Sequence, residues 1–137
     1  MIVIDASVLT DFLLGRPQTM DALELVLVGH EHEPMHAPDL IDPETLNALR
    51  RLALNSTVTD RRASEAASDL AWVRLIRYPH APMRQRVWEL RDNLSAYDAT
   101  YVALAEALDD PVLITSDRGL AAHAQASLGN DRVRLFG

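Results

Sequence analysis

The chain has 137 residues, 48% of them hydrophobic and 24% charged, and its 13 basic and 20 acidic side chains give a net charge of −7. This length and apolar content are typical of one globular domain and exclude an intrinsically disordered chain, while the acidity disfavours a protein that holds nucleic acid on a broad basic surface. Because no apolar run approaches the roughly 20 residues of a membrane span and no signal-peptide pattern is present, we expect a soluble cytoplasmic protein with no membrane association.

Strand-length apolar stretches alternate with helical patterns in the first half of the chain. The predicted elements are a strand at 2–4, helices at 7–14 and 19–28, a strand at 35–37 and a long amphipathic helix at 40–54. Pro43 falls in the first turn of that long helix, where its missing N–H costs little. This alternation is typical of a parallel sheet wrapped by helices.

The second half of the chain continues the same alternation. The predicted elements are a helix at 59–70, a strand at 72–77, a helix after Pro82 that runs through Leu90, a helix from Ser95 to Leu108, a strand at 111–114, a small-residue helix and an edge strand at 132–136. Ser95 and Asp98 have the spacing of a capping box, with aspartate in the place of the usual glutamate. The sequence thus predicts an α/β fold in a single domain, 1–137, with a central parallel sheet of four to five strands flanked by helices.

Two aspartates follow predicted strands at the end where parallel sheets bind ligands. Asp5 comes directly after the first strand, and Asp117 follows the fourth after two hydroxyl residues. Asp98 and Glu44 lie in the first turns of predicted helices, and they face the same crevice if those helices start at the carboxyl edge of the sheet. Four carboxylates that close repel one another unless a cation neutralises them. Because the chain has no cysteine and no lysine, we expect a hard divalent cation, such as Mg²⁺, on oxygen ligands.

Each of these acids also has a purely structural interpretation, which the sequence leaves open. Asp98 can serve only as the capping-box partner, and Asp117 only as an N-cap. Glu44 can merely complement a helix dipole. Asp5 fits such an interpretation least, because an aspartate against a buried strand needs a polar partner. The joint pattern is therefore more specific than any of its members.

The motifs that contain the four acids resemble a known family. They are Ile2-Val3-Ile4-Asp5-Ala6-Ser7-Val8, Glu44-x-x-Asn47-Ala48-Leu49, Ser95-Ala96-Tyr97-Asp98-Ala99 and Thr115-Ser116-Asp117. In this order, and over nearly the whole chain, they are similar to PIN domains and, more narrowly, to the VapC-type toxin ribonucleases of bacterial type II toxin–antitoxin systems. The resemblance implies a three-layer α/β/α PIN fold and an endoribonuclease that depends on Mg²⁺, with Mn²⁺ able to substitute. It also implies an RNA substrate, a cognate VapB-type antitoxin, a toxin homodimer and toxin–antitoxin hetero-oligomers.

Carried over onto this chain, the acidic site of the family corresponds to Asp5, Glu44, Asp98 and Asp117. Our hypothesis is that Asp5 and Asp98 bind the metal ion most directly. Asp117 would complete or orient its water shell. Glu44 would hold a second ion or position the attacking water.

Three polar residues are expected to support these acids. Ser7 and Thr115 match positions that orient the aspartates in the family, and Asn93 is expected to border the site. The sequence departs from the family's pattern at Asp42-Pro43, just before Glu44. Proline at this point puts the entry of Glu44 into the crevice in doubt.

The segment at 29–36 contains three histidines, His30, His32 and His36. They could offer imidazole ligands for zinc or nickel, but a complete tetrahedral set at a defined spacing is missing. A polar surface loop is the favoured interpretation.

Pairs of arginines form local basic clusters on the acidic chain, at 50 and 51, 61 and 62, and 84 and 86. Arginine suits bidentate contact with phosphate, so these clusters are candidates for binding RNA. A solvated helix surface, paired with neighbouring acids, is equally consistent with the pattern.

The first two predicted helices carry more apolar side chains than a small core obviously needs. They are Leu9, Phe12, Leu13, Leu14, Leu23, Val26 and Leu27. The family resemblance suggests a groove here for an antitoxin segment, while ordinary core packing is the default for most of these residues.

The alternative to an enzyme is a catalytically inactive PIN-like module that only binds protein or RNA. The complete set of four acids argues against it. Receiver and phosphatase-like domains also place aspartates at strand ends, but they need a lysine, which this chain lacks. Dinucleotide binding is unsupported, since no G-x-G-x-x-G follows a strand.

Overall fold

A computed structural model describes all residues from Met1 to Gly137. The strands are β1 (Ile2–Ile4), β2 (Met35–Pro38), β3 (Leu75–Tyr78), β4 (Val112–Thr115) and β5 (Val133–Leu135). The helices are α1 (Ala6–Leu13), α2 (Pro17–Leu27), α3 (Ile41–Leu54), α4 (Asp60–Asp69), α5 (Arg84–Glu89), α6 (Ala96–Ala107) and α7 (Arg118–Leu128).

The five strands form one parallel sheet in the order β3-β2-β1-β4-β5. Helices α1 to α4 pack against one another, and α5, α6 and α7 form a second group. Because both faces of the sheet are covered, all three residues of β1 are buried, and β1 reads as a continuous apolar run. The predicted three-layer α/β/α fold is confirmed, with five strands.

Local signals explain where several helices begin. Thr59 caps α4 by accepting a hydrogen bond from the backbone N–H of Arg62, and Ser95 caps α6 by accepting one from the N–H of Asp98. Pro17 lies in the first turn of α2, which therefore begins two residues before the predicted start. The two capping hydrogen bonds of α4 and α6 join residues that are close in sequence, so the sequence predicts them well.

The predicted strand at 72–77 is wrong at its start. Leu70–Trp72 form a tight 3₁₀ turn after α4, and the strand proper begins at Leu75, which pairs with Met35. Leu70 is buried and anchors this turn, while Trp72 is 85% exposed. The alternating pattern of the segment is compatible with a strand, but the anchored turn delays its entry into the sheet.

The last strand lies at the edge of the sheet, as predicted. β5 pairs only with β4, and Arg134 and Leu135 are exposed. Arginine on an exposed edge disfavours pairing with another chain. None of the helices combines the length and the hydropathy that a membrane span requires.

Candidate active site

The carboxyl ends of β1 and β4 lie side by side, because Ile4 pairs with Ile114 in the sheet. Asp5 follows β1 and Asp117 follows β4 after one intervening residue, so both acids lie at this edge. The first turns of α3 and α6 start at the same edge and bring Glu44 and Asp98 to it. The four acids line one open cavity of about 510 Å³.

Asp5 is the buried floor of this cavity, with 4% of its surface exposed. Its Oδ1 accepts hydrogen bonds from the Ser7 hydroxyl at 2.6 Å and from the backbone N–H of Val8 at 3.1 Å. Its Oδ2 accepts one from the Thr115 hydroxyl at 2.6 Å. Asp5 is therefore both the N-cap of α1 and a cavity residue, and it has the polar partners that its burial requires.

Ser7 and Thr115 also bind the turn between β4 and α7. The Ser7 hydroxyl oxygen accepts a hydrogen bond from the N–H of Ser116 at 3.0 Å, and that of Thr115 accepts one from the N–H of Asp117 at 2.9 Å. Asp117 Oδ1 in turn caps α7 by accepting from the N–H of Leu120 at 2.9 Å. The two hydroxyls thus connect Asp5 to the turn that carries Asp117.

Glu44 enters the cavity from the first turn of α3 despite the proline before it. Asp42, in the same turn, accepts two hydrogen bonds from the guanidinium of Arg77 at 2.6 and 2.8 Å, which ties this helix start to β3. Glu44 Oε1 accepts a hydrogen bond from the hydroxyl of Tyr101 at 2.8 Å. Tyr101 is thus a supporting residue that the sequence prediction missed, although it lies one helical turn after Asp98.

Asp98 is half-buried in the first turn of α6. Its backbone N–H donates to the Ser95 hydroxyl, whereas its carboxylate accepts no hydrogen bond from the protein. The capping-box interpretation therefore accounts for the backbone of Asp98 but not for its side chain, which lines the cavity.

Burial of like charges disfavours ionisation of these acids. Burial raises the pKa of Asp5, and its three hydrogen bonds oppose this rise. Burial also raises the pKa of Glu44, as do the charges of Asp98 and Asp5, while the Tyr101 hydroxyl opposes it. The pKa of Asp98 is raised by burial and by the charge of Asp117. The cavity thus concentrates negative charge that the surrounding side chains do not fully compensate.

An all-oxygen donor set of this kind fits a hard divalent cation. No three carboxylate or imidazole groups converge closely enough to form a closed metal cage. Mg²⁺ usually binds through one or two carboxylates and keeps several waters, so it does not need such a cage. The donor chemistry, the open volume and the unpartnered carboxylate of Asp98 therefore suit a partly hydrated ion.

Two arginines also line the cavity. Arg51 extends from α3 and has no carboxylate partner, whereas Arg16 forms an ion pair with Asp11 at 2.9 Å. Arg51 belongs to one of the predicted arginine clusters and supplies positive charge beside the acids. This position suits a phosphate group that approaches the cavity.

Asn93 does not border the acidic cavity. It lies after α5 beside a different cavity, together with His123 and Ser127 of α7. The expectation that it joins the site is therefore not met, because the segment between α5 and α6 turns toward α7.

The remaining arginine clusters and the three histidines of the segment at 29–36 lie elsewhere in the structure. Arg61 and Arg62 pair with Glu65, and Arg86 pairs with Glu89 and Glu106, so these arginines follow the surface interpretation. The three histidines do not gather into a ligand set. His36 is buried in β2 and hydrogen-bonded to Tyr78, and His30 contacts Glu33 on the loop.

The chain is similar to proteins of a known family. The family model of the PIN domain matches residues 2–126. The chain is 42% identical to Ribonuclease VapC1 of Mycobacterium tuberculosis over 122 residues, which cover 88% of each chain. It is 40% identical to Ribonuclease VapC9 of the same organism over 126 residues, covering 92% of this chain and 93% of that protein. It is 35% identical to Ribonuclease VapC12, also of M. tuberculosis, over 88% of this chain and 90% of the other.

Proposed function

The chain belongs to the PIN-domain family and, within it, to the VapC-type ribonuclease toxins, and from this premise we propose that the acidic cavity is where it cleaves RNA. The protein is an endoribonuclease and the toxin of a toxin–antitoxin pair. The observation that carries the proposal for the site is the meeting of four acids, from four separate parts of the chain, in one cavity. Bringing four carboxylates together destabilises the folded state, and a catalytically inactive module would gain nothing that offsets this. The inactive alternative is therefore not favoured.

The enzyme depends on a divalent metal ion, which we take to be Mg²⁺, with Mn²⁺ as a substitute. We assign Asp5 and Asp98 as its most direct ligands, and Asp117 as the residue that completes or orients its water shell. Held by these residues, such an ion would supply charge that stabilises the scissile phosphate in its transition state and would lower the pKa of the attacking water.

The remaining roles belong to side chains around the ion site. Ser7 and Thr115 hold the Asp5 carboxylate in one orientation, since each donates to a different oxygen of it. Tyr101 holds Glu44, whose free oxygen is available to position the attacking water or a second ion. Arg51, at the cavity wall, is suited to bind a phosphate next to the scissile one.

The partner of the toxin is a VapB-type antitoxin, and we propose where it binds. A groove of about 430 Å³ between α1, α2 and the turn after α4, here called the α1–α2 groove, is lined by Phe12, Leu13, Met20, Leu27 and Trp72. Three acids, Glu31, Glu33 and Asp69, also line it, against one arginine, Arg74. The groove therefore suits an antitoxin segment that carries apolar and basic side chains. Leu9 and Leu23, which the sequence also offers as candidates for such a groove, are buried in the core.

We further propose that the 137 residues act as a single PIN domain, that the toxin forms a homodimer, and that it enters hetero-oligomers with its antitoxin. Sedimentation of the toxin alone and with a co-expressed antitoxin tests the assembly. A toxin that stays monomeric at high concentration would contradict the homodimer.

Induced expression in bacteria tests the function as a whole. The wild-type chain is expected to arrest growth and to produce discrete new RNA ends, and co-expression of the antitoxin is expected to relieve the arrest. Asp98→Asn should lose both effects. Asp109→Asn, which changes an exposed acid outside the cavity, is the matched control and should retain them. Equal toxicity of wild type and Asp98→Asn would refute the assignment of the site.

A further inference from the structure

A second candidate site lies on the other side of α6 from the acidic cavity. Trp88, on α5, exposes 67% of its surface, and the guanidinium carbon of Arg91 lies 4.6 Å from the centre of its ring. Arg84 borders the same shallow cavity of about 230 Å³, whose far wall is formed by Ala96 and Thr100. We call Trp88, Arg84 and Arg91 the Trp88 platform.

The platform carries uncompensated positive charge. Arg84 and Arg91 each donate to a backbone carbonyl oxygen only, and neither forms an ion pair with a carboxylate. Arg86, two residues from Arg84, points to the other side of α5 and binds Glu106 at 2.7 Å. Although the chain has a net charge of −7, two guanidiniums without carboxylate partners beside an exposed indole form a surface that favours a polyanion.

The position of the platform relates it to the acidic cavity. Asp98 lies between Ala96 and Thr100 in the sequence, and residues two apart on a helix point about 200° away from each other. The start of α6 therefore has Asp98 facing the acidic cavity, while Ala96 and Thr100, two residues before and after it, face the platform. A helix with its side chains is about 10–12 Å across, so a short stretch of single-stranded RNA can contact both sides.

We propose that the Trp88 platform binds the RNA substrate beside the scissile bond, with a base stacked on Trp88 and flanking phosphates bound by Arg84 and Arg91. This inference depends on the proposed function, because it places the platform along the path of the RNA that the acidic cavity cleaves. Aromatic side chains and arginine planes are the usual stacking surfaces for unpaired bases. The exposed indole and its stacked arginine supply both.

Equilibrium binding tests the platform without requiring catalysis. A fluorescently labelled single-stranded RNA of mixed sequence is titrated with the full chain in EDTA, and anisotropy gives Kd. Trp88→Leu, which keeps an apolar side chain but removes the ring, should weaken binding about tenfold, or about 1.4 kcal/mol. Trp88→Phe, which keeps a stacking face, should stay within about threefold of the wild type.

Salt dependence tests the two arginines. The double variant Arg84→Gln/Arg91→Gln should reduce the slope of log Kd against log salt by about 0.7 for each phosphate that the variant no longer binds. The matched control is Arg132→Gln, since Arg132 precedes β5 at the opposite edge of the sheet and pairs with Asp110. Its slope should equal that of the wild type.

Cleavage kinetics separate this inference from the proposed function. With Mg²⁺ present, Trp88→Leu should raise KM and leave kcat nearly unchanged, whereas Asp98→Asn should abolish kcat. If the wild type cleaves RNA but Trp88→Leu has unchanged Kd and KM, the platform is refuted and the proposed function stands. If the wild type fails to cleave any RNA, the proposed function fails, and the platform with it as a substrate subsite.

The competing occupant of the platform is a second copy of this chain. Sedimentation of wild type and Trp88→Leu distinguishes it. If the substitution dissociates a dimer while the RNA affinity of each chain is unchanged, the surface is an interface between copies and the inference is wrong. An unchanged oligomeric state together with weaker RNA binding supports it.

Discussion

Asp98 differs from the other acids of the cavity because no donor of the protein binds its carboxylate. Asp5, Glu44 and Asp117 each accept at least one hydrogen bond. Burial and the charge of Asp117 raise the pKa of Asp98. The ionised form of Asp98 therefore destabilises the folded protein, and no hydrogen bond to its carboxylate offsets this. Such a cost is typical of a group that is held for a ligand rather than for the fold.

We therefore expect Asp98→Asn to stabilise the metal-free protein while it abolishes activity. The amide has nearly the same shape but no charge, so Tm in EDTA should rise by about 2 to 5 °C. Because the pKa of Asp98 is raised in the folded state, the wild type gains stability as pH falls through that pKa and loses it as pH rises. The variant should lack this contribution. Thermal unfolding at several pH values checks both effects, and a lower Tm for Asp98→Asn at neutral pH would contradict the account.

Tyr101 acts on the site through Glu44. Its hydroxyl donates to the carboxylate, and this bond opposes the rise in the pKa of Glu44 that burial causes. Burial and the charge of Glu44 raise the pKa of Tyr101 itself, which keeps the hydroxyl protonated as a donor. Tyr101 is therefore a positioning residue rather than a catalytic one.

Tyr101→Phe should raise the pKa of Glu44 and move the acid limb of the activity profile to higher pH. If ionised Glu44 is required, kcat on this limb should fall about tenfold, with partial recovery as the pH rises. Tyr97→Phe removes an exposed hydroxyl that has no partner and serves as the control. Cleavage rates measured across the pH range check this expectation, which identical profiles for Tyr101→Phe and the wild type would overturn.

At the scale of helices and strands, the sequence best predicts the features that depend only on residues close in sequence. Ser95 caps α6 and Pro43 lies in the first turn of α3, as expected, because these features depend on a few adjacent positions. The strand that includes Leu75 starts later than predicted because the buried Leu70 holds a turn before it. That turn depends on packing against residues that are distant in sequence. The hydrophobic periodicity of the segment carries no information about such packing.

The candidate site shows the same division. Its four acids can be proposed from strand ends, helix starts and family motifs. Tyr101 cannot, because its contribution depends on how α6 and α3 meet across the cavity. Arg51 is predicted only as part of a basic cluster, and its place beside the acids comes from the structure. Asn93 is expected nearby from the sequence, but the direction of the chain after α5 takes it elsewhere.

The α1–α2 groove is the proposed binding site of the antitoxin, so a substitution there should affect antitoxin binding and not RNA cleavage. Trp72 is the most exposed of the large apolar side chains and lies in the groove wall. Trp72→Ala should weaken antitoxin binding at least tenfold, since exposed tryptophans in apolar grooves are frequent hot spots. RNA cleavage by the free toxin should be unchanged. Calorimetry with the purified antitoxin measures the affinity, and a wild-type Kd for the variant would show that the antitoxin binds elsewhere.

On the scale of the whole molecule, the net charge of −7 first argues against a nucleic-acid partner. The structure gives this charge a different meaning, because five of the acids line one cavity, namely the four candidate site residues and Asp11. Positive charge is local instead, with Arg51 beside the acids and the Trp88 platform across α6. An acidic protein of this kind can bind RNA through a few placed arginines and a bound cation, without a broad basic surface.

The central claim is that the acidic cavity cleaves RNA with a divalent ion, and cleavage by purified protein during a Mg²⁺ titration tests it most directly. Wild type and Asp109→Asn should cleave a single-stranded RNA at discrete positions in Mg²⁺ and stop in EDTA. Asp5→Asn and Asp98→Asn should each lose at least about 100-fold in rate at every Mg²⁺ concentration. Full cleavage by either variant, or cleavage that persists in EDTA, would contradict the account.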